Sequence, residues 1–553
     1  MLNHQKRTSM KNYIVLLLTT LLPLSIVAQT ATQDSINRKV TVESVYNPVL
    51  TSSEKRMFLP EEEQQEIEKS AAVYAEDVEN IRQFSRTPLF AKGVKVEEAT
   101  NYPGYLRIGA GSRWNADAQA AFHHNLGRRN AIDLWMSHDG FKGTVPYEEM
   151  KWKGMLYNLE TAFGFTHKGE KGPTVKAGID SEWHTYNYIV TNSQQAATER
   201  QQARYLGGAV AIEGNWPELS PGHAATYRTG VDFHQWHQKA WLAADEPVNE
   251  DHLSVNLGSS VETGVQSVAD LDITSDVMFY NNQGGYHDYF SLSLNPTWRV
   301  NKSFWAFKAG LHLDFQFDDD RPAQVAPDFR LSFKPLDFMR LSLSADGGRN
   351  VRTFKDLYRI SPWWGSTEQL RQSYDVLNAH LQLDARIVDG VHVGAWGGYR
   401  IAKDEIFATP LESNGLLYTG LVNQDANVWN MGANVVASWK DVVTLTTSVD
   451  YFSWHTETNV LDYAPEEDMK MNARVHVMEK LYADATLRYV RFTSANGERK
   501  PSVVDLGIGA QYTVLDNVSA FAKIENLLNR HSGLTPVYPQ QGIYALVGAS
   551  LKF

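Results

Sequence analysis

Residues Trp305 to Phe317 read WAFKAGLHLDFQF and alternate strictly between apolar and polar side chains. Successive side chains of a β-strand point to opposite faces, so this stretch predicts a strand with one apolar face and one polar face. It is thirteen residues long. That length is unusual for a soluble sheet, but it matches a tilted strand that crosses a bilayer.

The same alternation recurs along the chain from about residue 104 to Phe553, as in Leu377 to Ile387, and we count about 22 such segments. Tight connections such as 388–390 alternate with longer links for most of this length. The longer links include 187–202, 348–374, 403–424, 456–468 and 525–543. Short turns that alternate with longer loops are typical of outer-membrane barrels. The sequence therefore predicts an all-β, transmembrane antiparallel β-barrel over 104–553, with about 22 strands or somewhat fewer.

Composition excludes several other classes of protein. The 553 residues are 43% hydrophobic and 21% charged, which is ordinary for a folded protein and argues against a disordered chain. The mean hydropathy is −0.38, which is too low for a helical transporter. The absence of cysteine excludes disulfides and thiolate metal sites. A net charge of −12 argues against nucleic acid as a partner, because few phosphate counterions would be released.

The N-terminal region differs from the remainder of the chain. Lys6, Arg7 and Lys11 precede the apolar stretch Ile14 to Ala28, so residues 1–29 are predicted to be a secretory signal peptide. Residues 30–103 show little alternation and contain an acidic run, Glu61-Glu62-Glu63-Gln64-Gln65-Glu66-Ile67-Glu68. We expect this second region to be an acidic arm in the periplasm.

The C-terminal stretch Lys523 to Phe553 resembles the end of the TonB-dependent receptor barrels. It contains an Asn-Leu-Leu-Asn element at 526–529, a Tyr-Pro element at 538–539 and a glycine-led last strand that begins at Gly542. Leu551 and Phe553 resemble the terminal signal for membrane insertion. The resemblance implies a barrel of 22 strands in the outer membrane of a Gram-negative cell, inserted by the barrel assembly machinery, with the arm and the C-terminus in the periplasm.

One departure from that family concerns the plug, a folded N-terminal domain that those receptors hold inside the barrel. Only about seventy residues separate the predicted signal peptide from the first strand, which leaves no room for such a domain. Lys39 to Leu50 instead resembles the opening of short, plugless relatives of Bacteroidota type. Thr41-Val42-Glu43 could be read as a TonB-binding box, but a short strand without that role is the preferred interpretation.

Two sets of residues are candidates for binding. The first is the loop 348–374, where Trp363 and Trp364 lie among arginines that include Arg359 and Arg371. Exposed tryptophans could stack on a sugar or insert into a partner protein. The alternative interpretation is that they pack the loop into the barrel mouth.

The second set comprises polar residues on the inward faces of predicted strands. These candidate lumen charges are Lys308, Asp314, Asp384 and Arg386. A wide lumen contains water, so their simplest interpretation is a wetted wall.

No catalytic, cofactor or metal site is predicted. A GxSxG element is absent from the sequence, and His234 and His237 would point to opposite faces of one strand. The carboxylates of Asp318 to Asp320 are interpreted as a solvated loop tip. We therefore expect a protein that is not an enzyme.

A barrel without a plug would leave a hole across the permeability barrier, so the arm, an inward loop or another protein must fill it. The preferred hypothesis is a subunit of an outer-membrane complex for assembly, export or surface-lipoprotein handling. Its partners would be outer-membrane lipid and other outer-membrane or periplasmic proteins. The alternatives are a passive channel for solute uptake and a TonB-dependent transporter.

Overall fold

A computed structural model describes most of the barrel region. Its described residues are 102–147, 150–170, 172–190, 200–216, 224–239, 247–264, 266–281, 286–317, 321–413, 415–440, 442–457, 463–493 and 501–553. The predicted signal peptide and almost all of the predicted arm lie outside these residues, as do Thr41-Val42-Glu43 and Asp318 to Asp320.

The described residues are organised almost entirely as strands. In chain order, β1 to β12 are Gly104–Gly111, Ala116–Leu126, Asn130–Tyr147, Met150–Lys168, Thr174–Tyr186, Gln201–Asn215, Ala225–Gln238, Val248–Gly264, Ser267–Asn281, Tyr289–Asn301, Trp305–Phe317 and Ala323–Leu336. β13 to β23 are Met339–Asn350, Trp364–Gly365, Ser373–Val388, Val391–Ser413, Leu416–Trp439, Val443–Thr456, Pro465–Met478, Leu481–Phe492, Val503–Leu515, Val518–Glu525 and Tyr544–Lys552. One α-helix, α1, spans Phe354–Ile360, and a 3₁₀ turn spans Ser112–Trp114.

Twenty-two of these strands close into a barrel. Each strand pairs antiparallel with the next along the chain, and β23 pairs with β1 to complete the ring. The exception is the two-residue β14, which pairs in parallel with β17, so that β13 pairs directly with β15. The prediction of an all-β antiparallel barrel of about 22 strands is confirmed.

Several strands differ in length from the prediction. The region 403–424 was expected to be a long link, and this is wrong: β16 continues to Ser413 and β17 starts at Leu416, so the region forms the upper part of a tall hairpin. Ile406, Phe407, Leu417 and Tyr418 are all buried there, although adjacent residues point to opposite faces. Because both faces are packed, the polar–apolar alternation that marks the other strands is lost.

The two faces of the barrel wall have opposite chemistry. Large apolar side chains such as Ile179, Leu206 and Phe233 are exposed on the outer face, as a membrane barrel requires. The side chains between them point into the lumen and are largely polar. Trp183 and Trp439 are exposed outward, as expected of interfacial rings. In the part of the chain that the structure covers, no helix is long and apolar enough to cross a membrane.

The two ends of the barrel also differ. At one end, which we call the turn end, short turns such as 127–129 and 389–390 connect the strands. The first and last strands meet there: the Gly104 amide donates to the Phe553 carbonyl at 2.8 Å, and the Phe553 amide donates to the Gly104 carbonyl at 3.0 Å. The opposite end, the loop end, holds α1, β14 and the tip of the β16–β17 hairpin.

Candidate functional site

The connection between β13 and β15 forms a short helix at the loop end. Thr353 caps the helix: its hydroxyl accepts from the Asp356 amide, and the Asp356 carboxylate accepts from the Thr353 amide at 2.9 Å. This reciprocal arrangement is a capping box, which satisfies two backbone donors that the first turn leaves free. Phe354, Leu357 and Tyr358 lie on the buried face of the helix. Their i, i+3, i+4 spacing is that of an amphipathic helix seated on a core.

Lys355 ties this helix to the barrel wall. Its ammonium lies 2.6 Å from a carboxylate oxygen of Glu182, an inward residue of β5, and both side chains are largely buried. The same ammonium lies 3.6 Å from the centre of the Tyr205 ring on β6. A buried ion pair whose cation also contacts an aromatic face has a definite geometry. The helix is therefore held at one position on the wall.

Two further residues, Phe354 and Tyr358, anchor α1 by hydrogen bonds. The Phe354 amide donates to both carboxylate oxygens of Glu250 on β8, at 3.0 and 3.2 Å, and Glu250 is fully buried. The Tyr358 hydroxyl donates to the Asn158 side chain on β4 at 3.2 Å. Burial raises the pKa of the Tyr358 phenol well above its usual range, so the hydroxyl stays protonated and remains a donor.

Trp363 connects opposite sides of the barrel. Its indole N–H donates to the carbonyl of Asn187, just beyond β5, at 2.9 Å, while its own carbonyl accepts from the Thr419 amide on β17 at 2.9 Å. In the closed ring, β5 and β17 lie eleven strands apart in either direction. The barrel-wall parts of these two strands therefore face each other across the lumen, and Trp363 bonds to both strands where the tip of β17 has crossed to the β5 side.

The tip of the β16–β17 hairpin reaches the same opposite wall. The Leu417 amide donates to the Ile189 carbonyl at 3.1 Å, and Leu416 forms an isolated bridge with Val190. The Tyr538 hydroxyl joins the two sides, donating to the Leu417 carbonyl at 2.7 Å and accepting from the Ile189 amide at 3.2 Å. We call residues 351–372, 403–424 and 535–541 together the cap.

The cap has a hydrophobic core of its own. The Trp363 and Tyr538 rings stack with centres 3.8 Å apart and planes within 5° of parallel. The Trp152 ring on β4 packs edge-on against both, at 5.6 and 5.5 Å. The buried cluster that contains these rings draws side chains from β3 to β10 and from β16 and β17. Apolar packing thus continues from the cap to walls on both sides of the lumen.

An ion-pair network lies at the root of the cap. Arg352 contacts Glu405 at 2.6 Å, Glu405 also pairs with Arg400, and Arg400 contacts Asp375 at 2.7 Å. Glu405 and Asp375 are almost completely buried. Buried carboxylates need such partners, because an unpaired charge in the interior is strongly unfavourable. The network joins Arg352, at the start of the connection 351–372, to β15 and β16.

The two tryptophans of the predicted binding loop 348–374 are buried and do not form an exposed ligand surface. Trp363 is 6% exposed and Trp364 is fully buried, so the interpretation as exposed stacking rings is wrong, and packing into the barrel mouth is what the structure contains. Arg359 remains exposed, 3.6 Å from Glu182. Arg371 is also exposed, and its backbone amide donates to Asn423 at 2.7 Å.

The candidate lumen charges lie on inward faces, distributed along the wall. Lys308 pairs with Asp328 at 2.6 Å, and Asp314 accepts from Ser293. Asp384 accepts from Gln382 at 3.0 Å, and Arg386 is exposed near the turn end. Since β12 and β13 separate β11 from β15, the four residues do not converge on one site.

One cluster of possible metal-binding side chains lies near Lys308 and was not predicted. Within the described ranges, His312, Asp328 and Asp346 come together, with the His312 Nε2 atom 3.2 Å from Asp346 and 3.8 Å from Asp328. Lys308 already supplies a positive charge to Asp328. The arrangement is therefore described as an ion-pair cluster on the lumen wall. Only the strand register brings the three residues together, and the sequence carries no local signal for it.

Comparison with known proteins supports the architecture. No family model matches the chain, and no curated protein sequence matches it significantly. Among solved structures, the siderophore receptor PirA from Acinetobacter baumannii matches with a TM-score of 0.63 and 11% identity over 81% of this chain and 80% of that one. The FrpB iron transporter from Neisseria meningitidis matches with a TM-score of 0.61 and 10% identity over 82% of each chain. The copper transporter OprC matches with a TM-score of 0.57 and 11% identity over 82% of this chain and 80% of that one.

The likeness is one of fold. This chain has the 22-strand barrel architecture of outer-membrane receptors and transporters, which is the architecture that the C-terminal resemblance predicted. None of the three proteins is named as an enzyme. At 10–11% identity, the match carries no information about individual binding residues.

Proposed function

We propose that this chain is a non-enzymatic outer-membrane barrel that its own cap closes at the loop end, and that it acts as a subunit of an outer-membrane complex. The complex would serve assembly, export or surface-lipoprotein handling. The observation that carries the proposal is the path of the cap: the tip of the β16–β17 hairpin crosses the lumen and bonds through Leu417 to Ile189, just beyond β5, and Trp363 bonds to both sides of this junction.

The cap argues against a passive channel. Free diffusion of solutes requires a continuous water-filled path, whereas the cap is a packed aromatic cluster anchored by the buried Lys355–Glu182 pair and by Glu250. Undocking this cluster would expose large apolar surfaces to water, which is unfavourable. A barrel with such a closure is better suited to a structural or partner-dependent role than to a constantly open pore.

The proposal includes an orientation. Short turns face the periplasm and longer loops face the outside in outer-membrane barrels. We therefore place the turn end, the C-terminus at Phe553 and the arm 30–103 in the periplasm, with residues 1–29 removed during export. Leu551 and Phe553 would be read by the barrel assembly machinery. The arm and exposed cap residues such as Arg359 and Arg371 are the surfaces proposed to meet other outer-membrane or periplasmic proteins.

A second candidate function is energy-dependent transport. The specific observation that favours it is the fold shared with a siderophore receptor, an iron transporter and a copper transporter. In that case the cap would be a gate, and Thr41-Val42-Glu43 would be the segment that contacts TonB. The arm that we propose for residues 30–103 weighs against this function, because an arm in place of a plug would offer TonB no folded domain to displace.

Purification of the tagged native protein in mild detergent separates these functions. Recovery with stoichiometric companion proteins is expected, and a variant lacking residues 351–372 should lose those that bind the cap. A deletion strain whose sole defect is solute uptake, combined with recovery of the protein alone, would contradict the subunit role. If that uptake also required the proton motive force, the transporter would be supported in its place.

A further inference from the structure

The lumen wall carries a strip of positive charge near the turn end. We define the basic strip by the cations on four neighbouring strands, Lys308, Arg330, Lys334, Arg340 and Arg386. One leucine on each of these strands is exposed on the outer face: Leu311, Leu331, Leu341 and Leu383. Each lies an odd number of residues from the cations of its strand, so strand alternation places these cations inside the barrel.

Four carboxylates lie near these cations: Asp328 and Asp384 on the strands, and Asp337 and Asp389 in the turns that join β12 to β13 and β15 to β16. Lys308 pairs with Asp328, and Arg340 lies opposite Asp384 in the strand register. In the portion of the chain described by the structure, Arg330, Lys334 and Arg386 form no ion pair. In a chain of net charge −12, such a cluster on a concave wall is a site that attracts acidic groups.

We propose that the basic strip holds the acidic segment Glu61 to Glu68 of the same chain. Five of the eight residues in that segment are glutamate, enough to neutralise the three cations of the strip that form no ion pair in the described part of the chain. The arm joins the barrel at Gly104, which lies at the turn end beside Phe553. The strip faces the same end: Lys334 is two residues from the end of β12, and Arg386 is two residues from the end of β15.

The connecting chain is long enough for this contact. β1 and β12 lie eleven strands apart in either direction, so Gly104 and the strip are on opposite walls. A ring of this size, with strands about 4.8 Å apart and tilted by about 40°, has a diameter of about 45 Å. The 35 residues from Lys69 to Pro103, at about 3.3 Å each, extend to about 115 Å. The segment can therefore enter the lumen from the turn end and lie along the strip, while the remainder of the proposed arm stays in the periplasm.

Disulfide cross-linking tests the contact directly, because the natural chain contains no cysteine. The test pair is Glu66→Cys with Ser332→Cys, since Ser332 points inward between Arg330 and Lys334 on β12. The matched control is Glu66→Cys with Thr446→Cys, an inward residue at similar depth on β18. β18 lies six strands from β1, so reach alone would favour the control pair. Oxidation in intact cells should give at least tenfold more intramolecular disulfide with Ser332→Cys.

Charge reversal provides the second half of the test. Replacing Arg330, Lys334 and Arg386 with glutamate should reduce the disulfide yield severalfold, and E61K/E62K/E63K in the same chain should restore it. Heat-modifiable mobility on a gel shows that each variant has formed its barrel. Equal yields at Ser332→Cys and Thr446→Cys, no disulfide at either, or a cross-link from Ser332→Cys to a different acidic protein would each overturn the proposal. None of these outcomes depends on the proposed role in a complex.

Discussion

Replacing Trp363 with alanine is the most informative change in the cap. The substitution removes the ring that stacks on Tyr538 and packs against Trp152, together with the indole hydrogen bond to Asn187. It leaves the backbone bond from Thr419 in place. Since Trp363 belongs to the cap and the 22-strand ladder does not include it, we expect the cap to loosen while the barrel remains folded.

The size of the effect follows from what is buried. Trp363 is 6% exposed, and truncation of a buried tryptophan to alanine costs about 3–5 kcal/mol. Within that total, the aromatic contacts contribute roughly 0.5–1.5 kcal/mol and the hydrogen bond about 1 kcal/mol. A change of about 1.4 kcal/mol is a factor of ten in an equilibrium constant. The undocked population of the cap should therefore rise by roughly a hundredfold or more.

Hydrogen exchange of individual amides measures this population. The Leu417 amide donates to Ile189, so this bond breaks when the cap leaves the wall, and the Thr419 amide donates to Trp363, so this second bond breaks when the connection 351–372 leaves the β16–β17 hairpin. In W363A the exchange of these two amides should accelerate by about two orders of magnitude. Amides of the β18–β19 ladder should be unchanged, which distinguishes cap release from unfolding of the barrel.

The control is Trp183→Ala, which removes a tryptophan that is 53% exposed on the outer face. This variant loses comparable volume without touching the cap, and its Leu417 and Thr419 amides should exchange as in the natural protein. The reasoning would be refuted if W363A left both amides equally protected, or if W183A accelerated them to the same degree.

Three further predictions concern the anchors of the cap and the closure of the barrel. Lys355→Met leaves Glu182 buried without its closest cation and should destabilise cap docking by about 3–5 kcal/mol, measured by exchange of the same two amides. Adding Glu182→Gln should recover part of this loss. No recovery would show that the Lys355–Glu182 pair does not anchor α1. Glu405→Gln removes the charge that Arg352 and Arg400 share and should lower the midpoint temperature at which the cap is released. An unchanged midpoint would argue against a stabilising role for this ion-pair network. Deleting Phe553 should reduce the amount of folded barrel in membranes severalfold, as judged by heat-modifiable mobility. Phe122→Ala, which loses the ring contacts with Phe553 and His124, should assemble nearly normally; equal losses would indicate packing in place of an insertion signal.

The barrel was predictable because its signal is local. A strand that separates lipid from a polar lumen must alternate residue by residue, and all 22 predicted segments correspond to strands of the ring. The alternation failed at 403–424 because both faces of that hairpin are packed, so no polar face marks the strand period.

The cap was not predictable because its contacts are not local. Trp363 and Trp364 suit either an exposed binding surface or an inward core, and the sequence offers no means of choosing between them. The choice depends on partners such as Glu182 and Glu250, which lie more than a hundred residues away along the chain. In the sequence alone, those carboxylates resemble ordinary lumen charges. Only the strand register of the folded barrel shows that they lie beneath α1. A capping box at Thr353 and Asp356 was the one local signal that could have revealed the helix.

The central claim is that the chain closes its own lumen at the loop end. Single-channel recording in planar bilayers tests it most directly, using a form that lacks residues 30–100 so that the arm cannot contribute. With the cap intact, this form should remain silent. With residues 351–372 replaced by a short Gly-Ser linker, it should show large, stable conductance steps. Steady conductance from the form with an intact cap would contradict the claim.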